Sequence, residues 1–456
     1  MARVPPPRGV AGVENLPRTK RSLLNCFNNG SDIIISRPGI AAISEQALGN
    51  NARGGFEWNG SLYEVYGTEL RKITDVSTGA STLIGTIAGS ANIETDIGFN
   101  EAVIVVRGGA IYTLDNLDTL TNISGNSNIM PCDDVTHIDG RFVYIPTTGD
   151  PAFFSDVGAA GTVQVESFFD PEQLPDKNRA SFNFKNTLYI AGTDSIELFR
   201  NTGASPVPFS RVGGGAIDNG YIGGLLEYNN TWLFIGREKG QDLGIYAIGA
   251  GTAPKISNET IDLILTQSNE EELRNAISGR IKWRGYDIAT FRISTRSFGY
   301  YAGEWFFLDT VADGAPAPWA GGFITQYKGD YYSAFENKFG KFERINTDYG
   351  ERITKSMLIV YDEENANFFS AQSFQLGISQ GFNSEVDGTV ALRVSKDNVI
   401  FGPYMYKTLG NIGQYGHKLE WNYPGGLGNF DGFMGLEIYT TENIDFSADH
   451  LILNIR

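Results

Sequence analysis

Apolar residues along this chain come in short alternating runs, broken every few positions by Gly, Asn and Asp. A period of two is the mark of a half-buried strand, so an all-β fold is expected. One unit recurs: a polar stretch, a tight-turn residue, then alternating large apolar residues. It runs Trp58-Asn59-Gly60-Ser61-Leu62-Tyr63, Asp139-Gly140-Arg141-Phe142-Val143-Tyr144 and Lys185-Asn186-Thr187-Leu188-Tyr189. It returns as Asn229-Asn230-Thr231-Trp232-Leu233-Phe234, Arg284-Gly285-Tyr286-Asp287-Ile288 and Lys328-Gly329-Asp330-Tyr331-Tyr332, with a weaker copy at Asn100-Glu101-Ala102-Val103-Ile104-Val105. The anchors at 60, 101, 140, 186, 230, 285 and 329 are spaced by 41, 39, 46, 44, 55 and 44 residues. Most units carry a second apolar pair further on, as at Ile111-Tyr112, Phe153-Phe154 and Ile245-Tyr246. Two hairpin strands with room for two more in about 44 residues fit one propeller blade. The spacing therefore predicts a seven-bladed β-propeller over residues 36–355, with six or eight blades left open. A run of unrelated hairpins in a sandwich is the competing arrangement, since it spaces its turns similarly.

Before the first unit, residues 23–35 read as one or two strands ahead of the Pro38-Gly39 turn. With residues 1–35 as an N-terminal arm, they are expected to close the ring beside the last blade, because an open sheet edge invites pairing. From about residue 356 the alternation becomes cleaner, as in Val390-Ala391-Leu392-Arg393-Val394 and Leu451-Ile452-Leu453-Asn454-Ile455. Residues 356–456 are expected to form a C-terminal β-sandwich. One helix stands out: Ser268 as N-cap, Glu271 completing a capping box and Gly279 as the stop.

Composition sharpens this picture. The 456 residues include 55 Gly and 56 aromatics and are 41% hydrophobic, so a large core is available and wholesale disorder is excluded. No apolar run is long enough for a spanning helix. The start, Met1-Ala2-Arg3-Val4-Pro5-Pro6-Pro7-Arg8, lacks the apolar stretch of a secretory signal. Cys26 and Cys132 are expected to be free buried thiols.

The formal charge is −17, unevenly placed. Arg3, Arg8, Arg18, Lys20 and Arg21 face only Glu14 within residues 1–21, a net of +4, which leaves −21 on the remainder. An acidic body argues against wrapping nucleic acid through its phosphates. The five cations, in a stretch with Pro5-Pro6-Pro7, are the candidate interface residues. A solvated tail competes with an arm that reaches a neighbouring acidic body.

Chemistry-bearing patterns are missing. Gly340-Lys341 runs into a strand pattern instead of a helix, so it is no phosphate loop. Gly213-Gly214-Gly215 reads as a connecting turn. There is no Gly-x-Ser-x-Gly elbow and no zinc motif, and Asp115-Asn116-Leu117-Asp118 lacks the rest of a calcium loop. Adjacent carboxylates such as Asp133-Asp134 and Glu270-Glu271-Glu272 are expected to point to solvent. A glycosidase would need two carboxyls facing each other across a bond. No catalytic residue, cofactor or metal is assigned.

Several segments in order resemble the tail-hub, or packaged-DNA-stabilisation, proteins of short-tailed bacteriophages. These are Arg37-Pro38-Gly39-Ile40, Gly140-Arg141-Phe142 followed by Phe153-Phe154-Ser155-Asp156, and Ser195-Ile196-Glu197-Leu198-Phe199 with Thr202-Gly203-Ala204. Glu271 to Leu273, Ser395-Lys396-Asp397, Gly410, Gly413, Tyr415 and Trp421 continue the likeness to the end of the chain. The resemblance implies a non-enzymatic virion protein of the tail, assembled in the host cytoplasm. It implies a homo-hexameric ring below a portal or adaptor ring, carrying a needle, spikes or fibres. DNA would pass through the channel without specific binding, and no membrane insertion is implied. An acidic lumen would let DNA slide. The alternative is a propeller carbohydrate-active protein, a glycosidase or sugar-binding module, whose aromatics would have to face solvent rather than core.

Overall fold

The computed structural model describes residues 2–10, 21–45, 50–171, 176–213, 216–239, 243–249, 251–312, 315–362, 368–378, 388–410, 413–414, 418–444 and 446–456. Six of the seven anchor turns hold two consecutive residues in the left-handed region. Asn59 and Gly60 lie at φ 47° and 68°, for example, and Asn229 and Asn230 at 52° and 59°. Type I′ hairpins require this pair, and their twist matches that of the strands they join.

The protein is an all-β propeller. Six blades follow one another as consecutive strands, at residues 52–86, 93–122, 132–169, 178–211, 219–247 and 277–307. All are antiparallel meanders, the fifth with three strands. Where the spacing predicts seven blades, chain order alone supplies six. The seventh anchor, Gly329, lies in a composite sheet of Phe323–Tyr327, Asp330–Phe335 and Lys338–Glu343. Gly39–Glu45 is zipped onto its outer strand, with Phe342 opposite Ile40.

Cores lie between blades rather than inside them. Val65 and Leu70 of the first blade pack with Ile104 and Leu114 of the second, and Val103 and Val105 pack with Phe142 and Tyr144 of the third. One such cluster joins Leu62 and Tyr66 of the first blade to Tyr332 and Phe339 of the composite sheet. Period-two alternation gives each strand an apolar residue for both neighbours, which is why almost every central strand is buried on both faces.

The N-terminal expectation needs correction. Residues 23–35 do not close the ring; Gly39–Glu45 provides the pairing. Ser22–Leu24 instead lies between Glu304–Phe307 and Lys355–Asp362, and Cys26–Asn28 forms a hairpin with Ile34–Ser36 that joins Ser447–Ile455. Apolar side chains decide the placement. Phe27 meets Tyr286, Tyr301 and Phe306 of the sixth blade with ring centroids 5.2–5.5 Å apart, and its apolar cluster also takes in Met357 and Ile359 of the C-terminal strands.

The C-terminal strands build two sheets. One runs Lys355–Asp362, Phe433–Thr440, Thr389–Ser395, Met405–Thr408, and through Ser22–Leu24 it is continuous with the sixth blade. The other centres on Phe368–Ile378 and Ser447–Ile455, and Ala2–Val4 adds to it opposite Leu451–Leu453. A single cluster including Leu392, Leu436, Phe374, Trp421 and Leu453 draws on both sheets.

Two helices follow the fifth blade. The anticipated one is α2 (Glu270–Arg274), displaced by one residue: Asn269 is the cap and Glu272 completes the box. Ser268 instead ends α1 (Glu259–Gln267), whose N-cap Asn258 accepts from the Ile261 N–H. Gly279 is not a helix stop. It lies in the strand Ile277–Trp283, where a Cβ would come within 2.6 Å of Ile324 on the neighbouring inner strand.

Candidate interfaces around a closed axis

The innermost strands surround the propeller axis, and their polar side chains meet there. Arg107 donates to Glu94 and, at 2.5 Å, to the Arg274 carbonyl, while Arg274 donates to Asp133. Arg274 reaches this position because α2 lies across one mouth, with Leu273 buried beneath it. Asp133 is 3% exposed, and its second oxygen has no hydrogen-bond partner. Asp134 accepts from the Ser181 N–H at 2.6 Å. Burial, and next the charge of Glu94, push its carboxyl well above the usual carboxylate range. Burial also opposes the charge on Arg107, but Glu94, Tyr221 and Asp134 more than offset it and hold the guanidinium above the ordinary arginine range.

Asp133 and Asp134 therefore do not point to solvent. The strand is irregular between Cys132 and Asp134, and both carboxyl groups line the axial cavity, Asp133 held by Arg274 and Asp134 by the Ser181 N–H of the fourth blade. The axial cavity measures about 210 Å³, room for roughly seven waters at about 30 Å³ each. A nucleic-acid duplex cannot thread it. Its lining carries the carboxyl groups of Glu94, Asp133 and Asp134 and the guanidiniums of Arg107, Arg179 and Arg274. Among the described residues no group of three or more His, Cys, Asp or Glu could hold a metal ion. Cys26 and Cys132 are free and buried, and burial pushes the Cys26 thiol up to about 12.

The sequence-derived interface cations do not form one cluster. Arg3 is exposed on the strand Ala2–Val4, opposite Ile452. Arg8 lies 3.5 Å from Asp32, both exposed, and Arg21 is exposed at the start of a strand. Arg18 and Lys20 lie outside the described residues, as does most of the Gly213-Gly214-Gly215 turn. Residues 2–10 are not a free arm. Val4 and Val10 are buried, the Val10 N–H donates to Trp305 at 2.7 Å and Asn258 donates to the Val10 carbonyl, so apolar anchors override the proline-rich composition.

The aromatics of the repeat are core residues. Tyr63, Tyr144, Tyr246, Phe142 and Phe153 are fully buried, which leaves them unavailable to stack on a sugar. Phe99, Leu117 and Val157 are among the exposed large apolar residues, by 82%, 81% and 64%, at loop tips of the second and third blades. Their signal was an apolar residue inside a turn, where a polar one is usual.

A family model described as Phage_stabilise, bacteriophage P22 Gp10, beta-propeller, matches residues 13–334. No curated protein sequence matches the chain. Among solved structures, the N-terminal domain of Nup159 is 11% identical over 67% of this chain and 96% of its own, with a TM-score of 0.40. BamB from Moraxella catarrhalis is 12% identical over 68% and 91%, also at 0.40. The extracellular domain of BT4673 from B. thetaiotaomicron is 9% identical over 85% and 48%, at 0.46.

Proposed function

Since the chain belongs to the Phage_stabilise family of bacteriophage P22 Gp10 β-propellers, we propose that it is a structural hub of a short phage tail. In this reading six copies form a ring beneath a portal or adaptor ring, close the DNA channel, hold the packaged genome and carry needle, spike or fibre proteins. The composite sheet serves as the seventh blade and the two C-terminal sheets as the layers of a sandwich. The observation that carries the reading is the family match over residues 13–334. The closed axis fits it: with the propeller interior plugged by Arg107, Arg274 and α2, a DNA passage has to run between copies. A net charge of −17 would keep such a passage from adhering to DNA. A non-enzymatic role accords with the match to a phage structural family.

Native mass spectrometry of isolated tails tests the ring, with six copies expected and twelve refuting it. A second measurement tests the N-terminal cations. Replacing Arg3, Arg8 and Arg21 with Gln should lower incorporation into particles several-fold at low ionic strength and have little effect at high salt. Complementary charge acts mainly on the association rate and is screened. Equal incorporation at both salts would leave these residues as solvated surface. Truncating residues 2–21 would be a poorer test, because it also removes the buried Val4 and Val10.

A further inference from the structure

Four inner strands are bulged where they pass the axial cavity. The pairing slips between Ala52 and Gly54, Cys132 and Asp134, Asn178 and Ala180, and Tyr221 and Gly223, in the first, third, fourth and fifth blades. A bulge re-aims the side chain it displaces. In the third and fourth blades the displaced residues are Asp133 and Arg179, and both line the cavity. Asp133 is 3% exposed and gives one oxygen to Arg274, while the other has no hydrogen-bond partner. Arg179 makes no hydrogen bond or ion pair among the described residues, whereas Arg107 and Arg274 both do. Asp134 is a poor partner for it, because burial pushes that carboxyl well above the ordinary range. Much of the remaining wall is apolar. Ile277 of the sixth blade, with Phe323 and Ile324 of the composite sheet, lies across the axis from the third and fourth blades.

A buried carboxylate oxygen without a donor is costly and calls for a partner. The cavity, about 210 Å³, offers far more room than a single ion needs. We infer that it binds a small amino acid with an apolar side chain, the carboxylate on Arg179, the ammonium on the free Asp133 oxygen and the side chain against Ile277, Phe323 and Ile324. Opposite charges on two neighbouring bulges, facing an apolar wall, select for all three parts. A plain carboxylic acid would leave the Asp133 oxygen unpaired and bring a like charge near it, and a plain amine would do the same to Arg179. A recess of about 520 Å³ shares Arg107, Asp133 and Arg274 with the cavity and is also bordered by the exposed Glu270 and Glu271 of α2. It gives a way in past the Arg274–Asp133 pair. The inference does not depend on the hub reading.

The test is a set of melting curves and calorimetric titrations of the full chain with L-leucine, L-valine, isocaproate and isoamylamine, each up to about 10 mM, above the millimolar Kd of a weak site. L-Leucine or L-valine should raise the midpoint progressively, because a ligand held only by the folded protein stabilises it by mass action. Isocaproate lacks the ammonium and isoamylamine the carboxylate, and neither should do so. Arg179→Gln removes no contact among the described residues, so its midpoint without ligand should match that of the unaltered chain. Its affinity for the amino acid should fall at least about tenfold, the worth of one charge-assisted hydrogen bond. No shift with either amino acid means that water alone fills the cavity and overturns the inference. An equal shift with isocaproate or isoamylamine overturns the pairing of both charges, and unchanged affinity in Arg179→Gln places the binding elsewhere and overturns the site. The comparison of ligands on the unaltered chain decides the matter even where the variant is less stable.

Discussion

Replacing Arg37 with Met should destabilise the protein by about 3–5 kcal/mol, the usual consequence of stranding one member of a buried ion pair. Arg37 is 3% exposed and Asp348 1%. The guanidinium donates to both Asp348 oxygens, at 2.9 and 2.5 Å, to Asn25 Oδ1 at 2.8 Å and to the Pro38 carbonyl at 2.9 Å. It also lies 5.3 Å from the Trp319 ring centre. Asn25 in turn donates to the carbonyls of Asp309 and Thr354, and Thr310 donates to Asp348. One side chain thus joins the N-terminal segment, the strand after the sixth blade and the turn leading to the C-terminal sheets. Without it, Asp348 keeps only Thr310 as a side-chain donor among these contacts, in a place from which water is excluded. Arg37→Lys should fail nearly as badly, because a single ammonium cannot bridge two carboxylate oxygens and Asn25 at once. Combining Arg37→Met with Asp348→Leu should recover part of the loss by removing the stranded charge. Equilibrium denaturation of the three variants decides it. A loss below about 1 kcal/mol for Arg37→Met would place the pair among ion pairs of surface strength.

Arg37 also shows how far the sequence was legible. Pro38-Gly39 read as a turn, and the chain does pass there from Ile34–Ser36 to Gly39–Glu45 in another sheet, but nothing in local periodicity states that the partner of Arg37 lies 311 residues away. The same holds for the ring closure. Residues 23–35 and 39–45 both alternate well enough to be strands, and nothing in that alternation says which of them zips onto Lys338–Glu343. Hairpin turns were legible because positive φ at two successive positions restricts residue choice strongly, and Asn, Asp and Gly meet it. Helix α1 was hidden by its β-branched residues Thr260, Ile261 and Ile264. Its readable signal was the i, i+4 pair Ile261 and Leu265, both buried, three residues after a capping Asn. The axial ion pairs could not be found from sequence, since Arg107, Asp133 and Arg274 converge only when blades two, three and five are closed around α2.

Glu64 gives the second large effect, and its sign differs from that of an ordinary carboxylate. It is fully buried on the second strand of the first blade, its carboxyl lying over the Gly55 backbone. Burial holds the carboxyl well above its ordinary range, with Thr325 offsetting a little of the shift. Neither Glu64 oxygen, nor the Thr325 hydroxyl, makes a hydrogen bond of ordinary geometry. A raised folded pKa means that the folded protein holds a proton which the unfolded chain releases near the ordinary glutamate value of about 4.3. Stability associated with this group is fully present below that pH. It is lost progressively as pH rises, until the folded pKa is passed. Glu64→Gln keeps the shape and the neutral state but cannot titrate. The variant should match the unaltered protein near pH 4 and exceed it increasingly at higher pH. By pH 8 the gain should be at least about 1.4 kcal/mol, the worth of a single pKa unit. Gln brings no better partners, so a uniform gain at every pH is not expected. Denaturant midpoints for both proteins between pH 4 and pH 8 measure the difference directly. Two parallel profiles would show that Glu64 is ionised in the folded state and that water or a cation reaches it at the seam between the first blade and the composite sheet.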